Sequence, residues 1–237
     1  FRKEEEISPN IVVFTERTIL GQDLTFLVRQ LKEAYPKIYV VMLGVEIEQA
    51  RIMYLHEVGA DNFITKPVSA NTIIEKLAST IKPQSKLGQV LDLAKGLLEQ
   101  GNAEKARDVA RQVLELKPGS AAGYMVLGDA EKALGNTQAA KEAYISASQN
   151  ADLYLEPLHK LASLARETGD ADGCYEYLEK LDKLSPLNVD RKVDMGEIQL
   201  RLGNEDEAEK LFDSALAQVT KEAMRNISTI SNKIAAF

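Results

Sequence analysis

At 237 residues, with 45% hydrophobic and 27% charged side chains, the chain has the composition of a globular protein of one large or two modest domains, which excludes the disordered and collagenous classes. No stretch approaches the ~18 unbroken apolar residues of a membrane span, and a net charge of −7 argues against a nucleic-acid partner, whose binding needs clustered Lys and Arg. The single cysteine, Cys174, leaves no intrachain disulfide and fits a reducing, cytoplasmic compartment.

The chain opens on Phe1 rather than Met, and Phe1-Arg2-Lys3-Glu4-Glu5-Glu6 lacks the apolar core of a signal peptide, so the expectation is a natural chain that begins earlier. The acidic run reads as a solvated helix end. Between residues 10 and 82, short β-branched runs alternate with helical patterns. Ile11-Val12-Val13-Phe14, Tyr39-Val40-Val41-Met42-Leu43 and Asn62-Phe63-Ile64-Thr65 read as buried strands, and the stretches between them as helices. Strand, helix, strand at this spacing implies parallel pairing through right-handed crossovers. This part is predicted to be α/β.

Glu57-Val58-Gly59-Ala60-Asp61-Asn62-Phe63-Ile64-Thr65-Lys66-Pro67, followed by Ser69 to Leu77, resembles the receiver domain of bacterial response regulators from its Gly-Ala pair to its last helix. The resemblance runs from the family's third strand onward and implies a flavodoxin-like receiver fragment over residues 1–82. It implies that Lys66 stands where the family's lysine contacts the acyl phosphate, that Lys66-Pro67 can be cis, and that Phe63 holds the family's switching aromatic position. The acceptor and the phosphate-sensing hydroxyl of that family do not carry over, and its acid pair would lie ahead of Phe1. Thr15 stands at the acceptor aspartate, and Gly44, followed by Val45, replaces the hydroxyl residue that senses the phosphate. A threonine hydroxyl cannot form an acyl phosphate or offer Mg²⁺ an anionic oxygen. The expectation is a degenerate, non-phosphorylated receiver, with Phe63 a core aromatic and Lys66 paired to a local acid or carbonyl. Without its first two strands the domain is expected to expose a strand edge, which calls for cover by preceding residues or by another chain.

A short linker, residues 83–85 with Lys82 before it, predicts a fixed relation between the two parts. Beyond it, Gly101, Gly135, Gly169 and Gly203 recur every 34 residues, each followed by Asn or Asp. Each ends one amphipathic run and precedes another, as a helix with a left-handed C-terminal residue does. Counting each glycine as position 15, position 7 is Leu93, Leu127, Leu161 and Met195, and position 8 is Ala94, Gly128, Ala162 and Gly196. Position 20 is Ala106, Ala140, Cys174 and Ala208, and position 24 is Ala110, Tyr144, Leu178 and Phe212. This alternation of small and large suits packed helix pairs. Pro118 and Pro186 stand at position 32, where proline stops the second helix, while Asp152 and Thr220 replace it. Lys192 stands where an aromatic is expected.

Tyr124-Met125-Val126-Leu127-Gly128 and Ala140-Lys141-Glu142-Ala143-Tyr144 resemble the tetratricopeptide consensus. The resemblance implies an all-α superhelix of four repeats over residues 86–220 (87–120, 121–154, 155–188 and 189–220). A capping helix over 221–237 would follow, striped by Met224, Ile227, Ile230 and Ile234. It also implies that the first helices line a concave surface. Positions 5, 9 and 12 then give a partner-binding groove of Leu91, Lys95 and Leu98; Met125, Asp129 and Lys132; His159, Ser163 and Arg166; and Val193, Glu197 and Leu200. This mixed surface suits a peptide or helix with an apolar side and matched charges. The Lys and Asn pair with which chaperone-binding members clamp a C-terminal carboxylate is replaced by Leu91 and Lys95, which disfavours that ligand.

His56 and His159 fall in different parts and no Cys-x-x-Cys occurs, so no metal site is expected. Cys174 reads as a buried structural thiol. Without a phosphate loop or nucleophile elbow, nothing points to an enzyme or a cofactor. The functional expectation is a cytoplasmic bacterial adaptor in two-component signal transduction, joining a degenerate receiver to a protein-binding repeat module. Two alternatives stand beside it. One is a phosphorylation-competent response regulator that binds Mg²⁺ and carries an acid pair upstream of Phe1. The other is a structural scaffold that homodimerises through the receiver-like part.

Overall fold

The structure, a computed structural model, describes residues 11–19, 22–45, 48–81, 85–151 and 154–235. Most of the linker (residues 82–84), Asp152, the acidic run near Phe1 and the side chains of Ile227, Ile230 and Ile234 lie outside what is described. Contacts divide the chain into two units. One comprises residues 1–82, 185–196 and 206–237, and the other residues 83–184 and 197–205.

The first unit opens with β1 (Val12–Glu16), a short hairpin of β2 (Thr18–Ile19) and β3 (Gln22–Asp23), and α1 (Thr25–Ala34). There follow β4 (Tyr39–Gly44), α2 (Gln49–Glu57), β5 (Asn62–Thr65) and α3 (Ala70–Thr80). The hairpin, absent from the sequence reading, presents Asp23 to α1, whose Thr25 N–H donates to the Asp23 carboxylate at 2.8 Å. β1 pairs in parallel with β4 from Val12↔Tyr39 to Glu16↔Leu43, and β4 with β5 from Val41↔Asn62 to Gly44↔Thr65. The order is β1-β4-β5. Val28 and Leu31 of α1, and Leu55 beside Val58 at the end of α2, share one apolar cluster with Val40 and Met42 of β4. Both crossover helices therefore cover the same sheet face, as two right-handed crossovers running the same way require.

Two expectations change here. β4 and β5 are buried as expected, but β1 is an edge strand among the described residues, and Ile11 and Phe14 remain 39% and 38% exposed. What the structure gives is a small three-stranded parallel sheet with crossover helices, too little to be flavodoxin-like on its own, which corrects the flavodoxin-like expectation to a plain α/β sheet. The Gly-Ala-Asp turn before β5 has a clear physical basis. Gly59 has φ +107°, and a Cβ there would stand 2.7 Å from Cγ of Lys32. The ammonium of Lys32 needs that path, because it reaches the Asp61 carboxylate at 2.7 Å and the Ile38 carbonyl at 2.7 Å. The Lys66-Pro67 bond is cis.

The helical pairs are α4 (Lys86–Glu99) with α5 (Ala103–Leu116), α6 (Ala121–Ala133) with α7 (Thr137–Gln149), α8 (Glu156–Glu167) with α9 (Ala171–Leu184), and α10 (Val189–Arg201) with α11 (Glu205–Ala235). The four turn glycines have φ between +74° and +82°. At each, the glycine N–H returns to a carbonyl three residues back and the next N–H to one five back, as in Asn136 N–H to Glu131 O at 2.8 Å. This closes the helix end as a Schellman motif. From α4 to α9 each pair packs on the next.

Small residues at position 8 have a more specific purpose than close backbone approach. A Cβ on Gly128 would lie 2.4 Å from the Tyr144 ring, and one on Gly196 2.5 Å from the Phe212 ring. Glycine stands where position 24 is aromatic, whereas Ala94 and Ala162 stand opposite Ala110 and Leu178. At position 7 the sequence reading fails once, since Leu93 is 60% exposed. α4 is the first helix of its unit, with no pair ahead of it to cover that flank. Lys192 nevertheless takes a buried place. The separate capping helix is also corrected: α11 is one helix of 31 residues. Thr220 occupies the position where Pro118 and Pro186 stop their helices, and without proline the second helix of the fourth pair runs on.

Candidate partner-binding face

Nine of the twelve groove residues lie on α4, α6 and α8, and the structure divides them by depth. Leu91 and Met125 are only 7% and 5% exposed, so both belong to the core between helices and not to an accessible groove, a correction to the position-5 assignment. Leu98 is half-buried and packs on the cluster of Leu91, Ala94 and Ala110. Lys95, Ser163 and Arg166 are exposed, and Asp129, Lys132 and His159 half-exposed. Position 5 points inward in these two pairs because their apolar residues close the hairpin, which leaves positions 9 and 12 as the outer row. On α10, Val193 is half-buried, while Glu197 and Leu200 are exposed.

The outer row is knit together by charge. Asp129 accepts from the Tyr144 hydroxyl at 2.8 Å and faces the Lys160 ammonium at 3.0 Å. Lys132 reaches Glu167 at 2.6 Å, and the Ser163 hydroxyl donates to the same carboxylate at 3.0 Å. α6 and α8 are thus bridged twice across the face, with Asp129 and Lys132, expected to meet a partner's charges, already engaged by Lys160 and Glu167. These groups are partly solvated, and each pair contributes about 0–1 kcal/mol. Hydrogen bonds from Lys132 first, then Ser163, hold the Glu167 carboxyl below the usual carboxylate range. Burial, then the bond to Asp129, pushes the Tyr144 hydroxyl well above the ordinary tyrosine range. Among the described residues no cluster of His, Cys, Asp and Glu could hold a metal ion, and no helix is long and apolar enough to cross a membrane. Cys174 is buried.

Residues 91–154 and 165–227 each match a family model described as tetratricopeptide repeat. These segments are tetratricopeptide repeats. The matches fit the Gly-x turns and the small-large alternation seen in the helix pairs. No curated protein matches the chain. Among solved structures, a crystal structure of MamA protein superposes with a TM-score of 0.50 at 27% identity, covering 59% of this chain and 76% of its own. A second MamA crystal structure gives 0.50 at 22% identity over 76% and 99%. MamA from Desulfovibrio magneticus RS-1 gives 0.46 at 13% over 74% and 97%. The first two share the fold of the tetratricopeptide repeats.

In the sheet unit, Thr15, Gly44 and Lys66 lie at the carboxyl ends of β1, β4 and β5, whereas Phe63 lies within β5. Thr15 is half-buried, and its hydroxyl donates to the Glu16 carbonyl at 3.1 Å. Lys66 forms an ion pair with Glu16 at 2.6 Å, and its backbone N–H donates to the Gly44 carbonyl at 2.7 Å. Phe63 is buried and meets the His56 ring edge-on at 5.6 Å. One cluster escaped the sequence reading. Glu57 of α2 bonds Ser185, Asn188 and Arg191, which lie 128 to 134 residues further along, a separation that no local pattern spans.

Proposed function

We propose that the chain is a signal-transduction adaptor in which tetratricopeptide repeats hold a protein or peptide partner and a receiver-like part with a degenerate phosphosite is coupled to them. The observation that carries the first half is a mixed-charge row on the first helices, in which Lys95, Ser163 and Arg166 are exposed and Asp129 and Lys132 half-exposed, beside the buried Leu91 and Met125. A surface of this kind recognises polypeptide by matched charge and shape. The second half is supported by the parallel order β1-β4-β5, by Thr15 at the end of β1, and by Lys66, whose ammonium is engaged by Glu16. In this reading the chain works by binding rather than catalysis. It needs neither Mg²⁺ nor another cofactor, binds no nucleic acid and acts in a bacterial cytoplasm.

The test of the first half is affinity capture with the full chain and with a K95E/R166E variant whose helix content matches the wild type. A partner held by the wild type should be retained about tenfold less by the variant, since rim charges that become like charges oppose association. Equal retention by both would contradict the reading. For the second half, incubation with acetyl phosphate should leave the chain unlabelled, and stoichiometric labelling would overturn the degenerate phosphosite.

A further inference from the structure

The Glu57 cluster lies wholly within the first unit and has the anatomy of a ligand site. The Glu57 side chain is 6% exposed and the Arg191 side chain 2%. One carboxylate oxygen accepts from Arg191 Nη1 at 2.7 Å and from Asn188 Nδ2 at 2.8 Å. The other accepts from the Ser185 hydroxyl at 2.7 Å, with Arg191 Nη2 at 3.5 Å. The receiving groups are themselves fixed. Arg191 Nη2 also donates to the Ser185 carbonyl, and Asn188 Oδ1 accepts the Arg191 backbone N–H at 3.2 Å in the first turn of α10. A guanidinium, an amide and a hydroxyl thus converge on one carboxylate at a helix N-terminus, the end of a helix that favours negative charge.

A buried charge remains ionised only when paired and hydrogen-bonded, and here a guanidinium, an amide and a hydroxyl that meet it all come from the short segment Ser185 to Arg191. The neighbouring residue adds a solvent-exposed ion pair with the signs reversed: Asp190 faces Arg29 of α1 at 3.4 Å. Adjacent residues of α10 therefore engage α1 and α2, the two helices that cover one face of the sheet. We propose that Ser185, Asn188 and Arg191 form a carboxylate-recognition site where the third repeat passes into α10 and that Glu57 is its tethered occupant. The α/β part is then docked on α10 as a ligand in cis, and an Asp or Glu side chain from another protein can take the site only when Glu57 is out of it. The site is distinct from the outer row of positions 9 and 12 and requires neither a receiver nor a phosphate.

Chemical rescue in the full chain tests this. E57A removes the carboxylate and leaves room for free acetate among the three donors. Amide hydrogen exchange over α2 and over residues 185–196 should quicken about tenfold in E57A, because docking there loses its paired charge. Acetate should slow it again, chloride at the same ionic strength should not, and E57A/R191M should ignore both. Acetate no better than chloride in E57A, or exchange in E57A equal to wild type, would overturn the site. Should E57A lose its helix content, E57Q supplies the test: faster exchange confined to α2 and α10 supports the site, and wild-type exchange refutes it.

Discussion

Two kinds of glycine with opposite physics occur in one repeat. Gly135 has φ +79° and nothing within 4 Å of where a Cβ would stand, so its requirement is purely one of backbone conformation. G135A should cost roughly 1–2 kcal/mol in denaturant unfolding, the penalty of a left-handed L-residue. Gly128 is helical, and its requirement is the Tyr144 ring 2.4 Å from the missing Cβ. G128A should cost about 1–3 kcal/mol through overpacking, and G128A/Y144L should recover much of that loss, because Ala162 opposite Leu178 is the chain's own example of the exchange. Additive losses in the double variant would contradict the pairing. The Tyr144 hydroxyl carries a pH signature as well. Its folded pKa is raised, so its contribution is complete below the unfolded value of 10.0 and is lost as pH climbs beyond it. In an ultraviolet titration Y144F should leave unchanged the number of tyrosines that ionise before unfolding, and a drop by one would be the wrong result. Glu167 has the opposite sign: its pKa is lowered, so its contribution holds above 4.5 and fades as pH falls through the depressed folded value. K132M should bring the Glu167 midpoint, followed by NMR, back toward the ordinary carboxylate range, and an unmoved midpoint would show that Lys132 is not its main cause.

Helices and turns were the most legible level. Each 34-residue period ends a helix on a glycine that must be left-handed, and local hydrogen bonds suffice to enforce it, so Gly101, Gly135, Gly169 and Gly203 could be placed from sequence alone. Burial on a given helix face was less legible. Leu91 and Met125 stand at groove positions by family analogy, yet whether position 5 points into a hairpin or out of it depends on which neighbour packs there. Leu93 fails for the same reason at an uncovered flank. The end of α11 was misplaced because a stripe of apolar residues suggested a new helix, whereas the absence of proline at Thr220 was the stronger signal. T220P should restore that stop and remove the far-ultraviolet helix signal of the residues beyond it. Full retention of ellipticity would mean that proline is not what ends the other second helices.

For the molecule as a whole, the sequence shows short β-branched runs set between helical stretches and then a 34-residue period, and the strands of the first part and the helix pairs of the second are present in the structure. It does not show that residues 185–196 group with the sheet, because Arg191 and Glu57 find each other only after both parts have folded. The sheet was legible as α/β from three β-branched runs, but three strands do not carry the signature of one family. The adaptor reading therefore depends on the outer row of the first helices meeting another polypeptide. Site-specific photocrosslinking measures this directly, with a photoreactive residue placed in the full chain at exposed Ser163 on α8 or at exposed Glu142 on α7. The account predicts a discrete protein adduct from position 163 and none from position 142. Adducts of equal yield from both positions, or from position 142 alone, would contradict it.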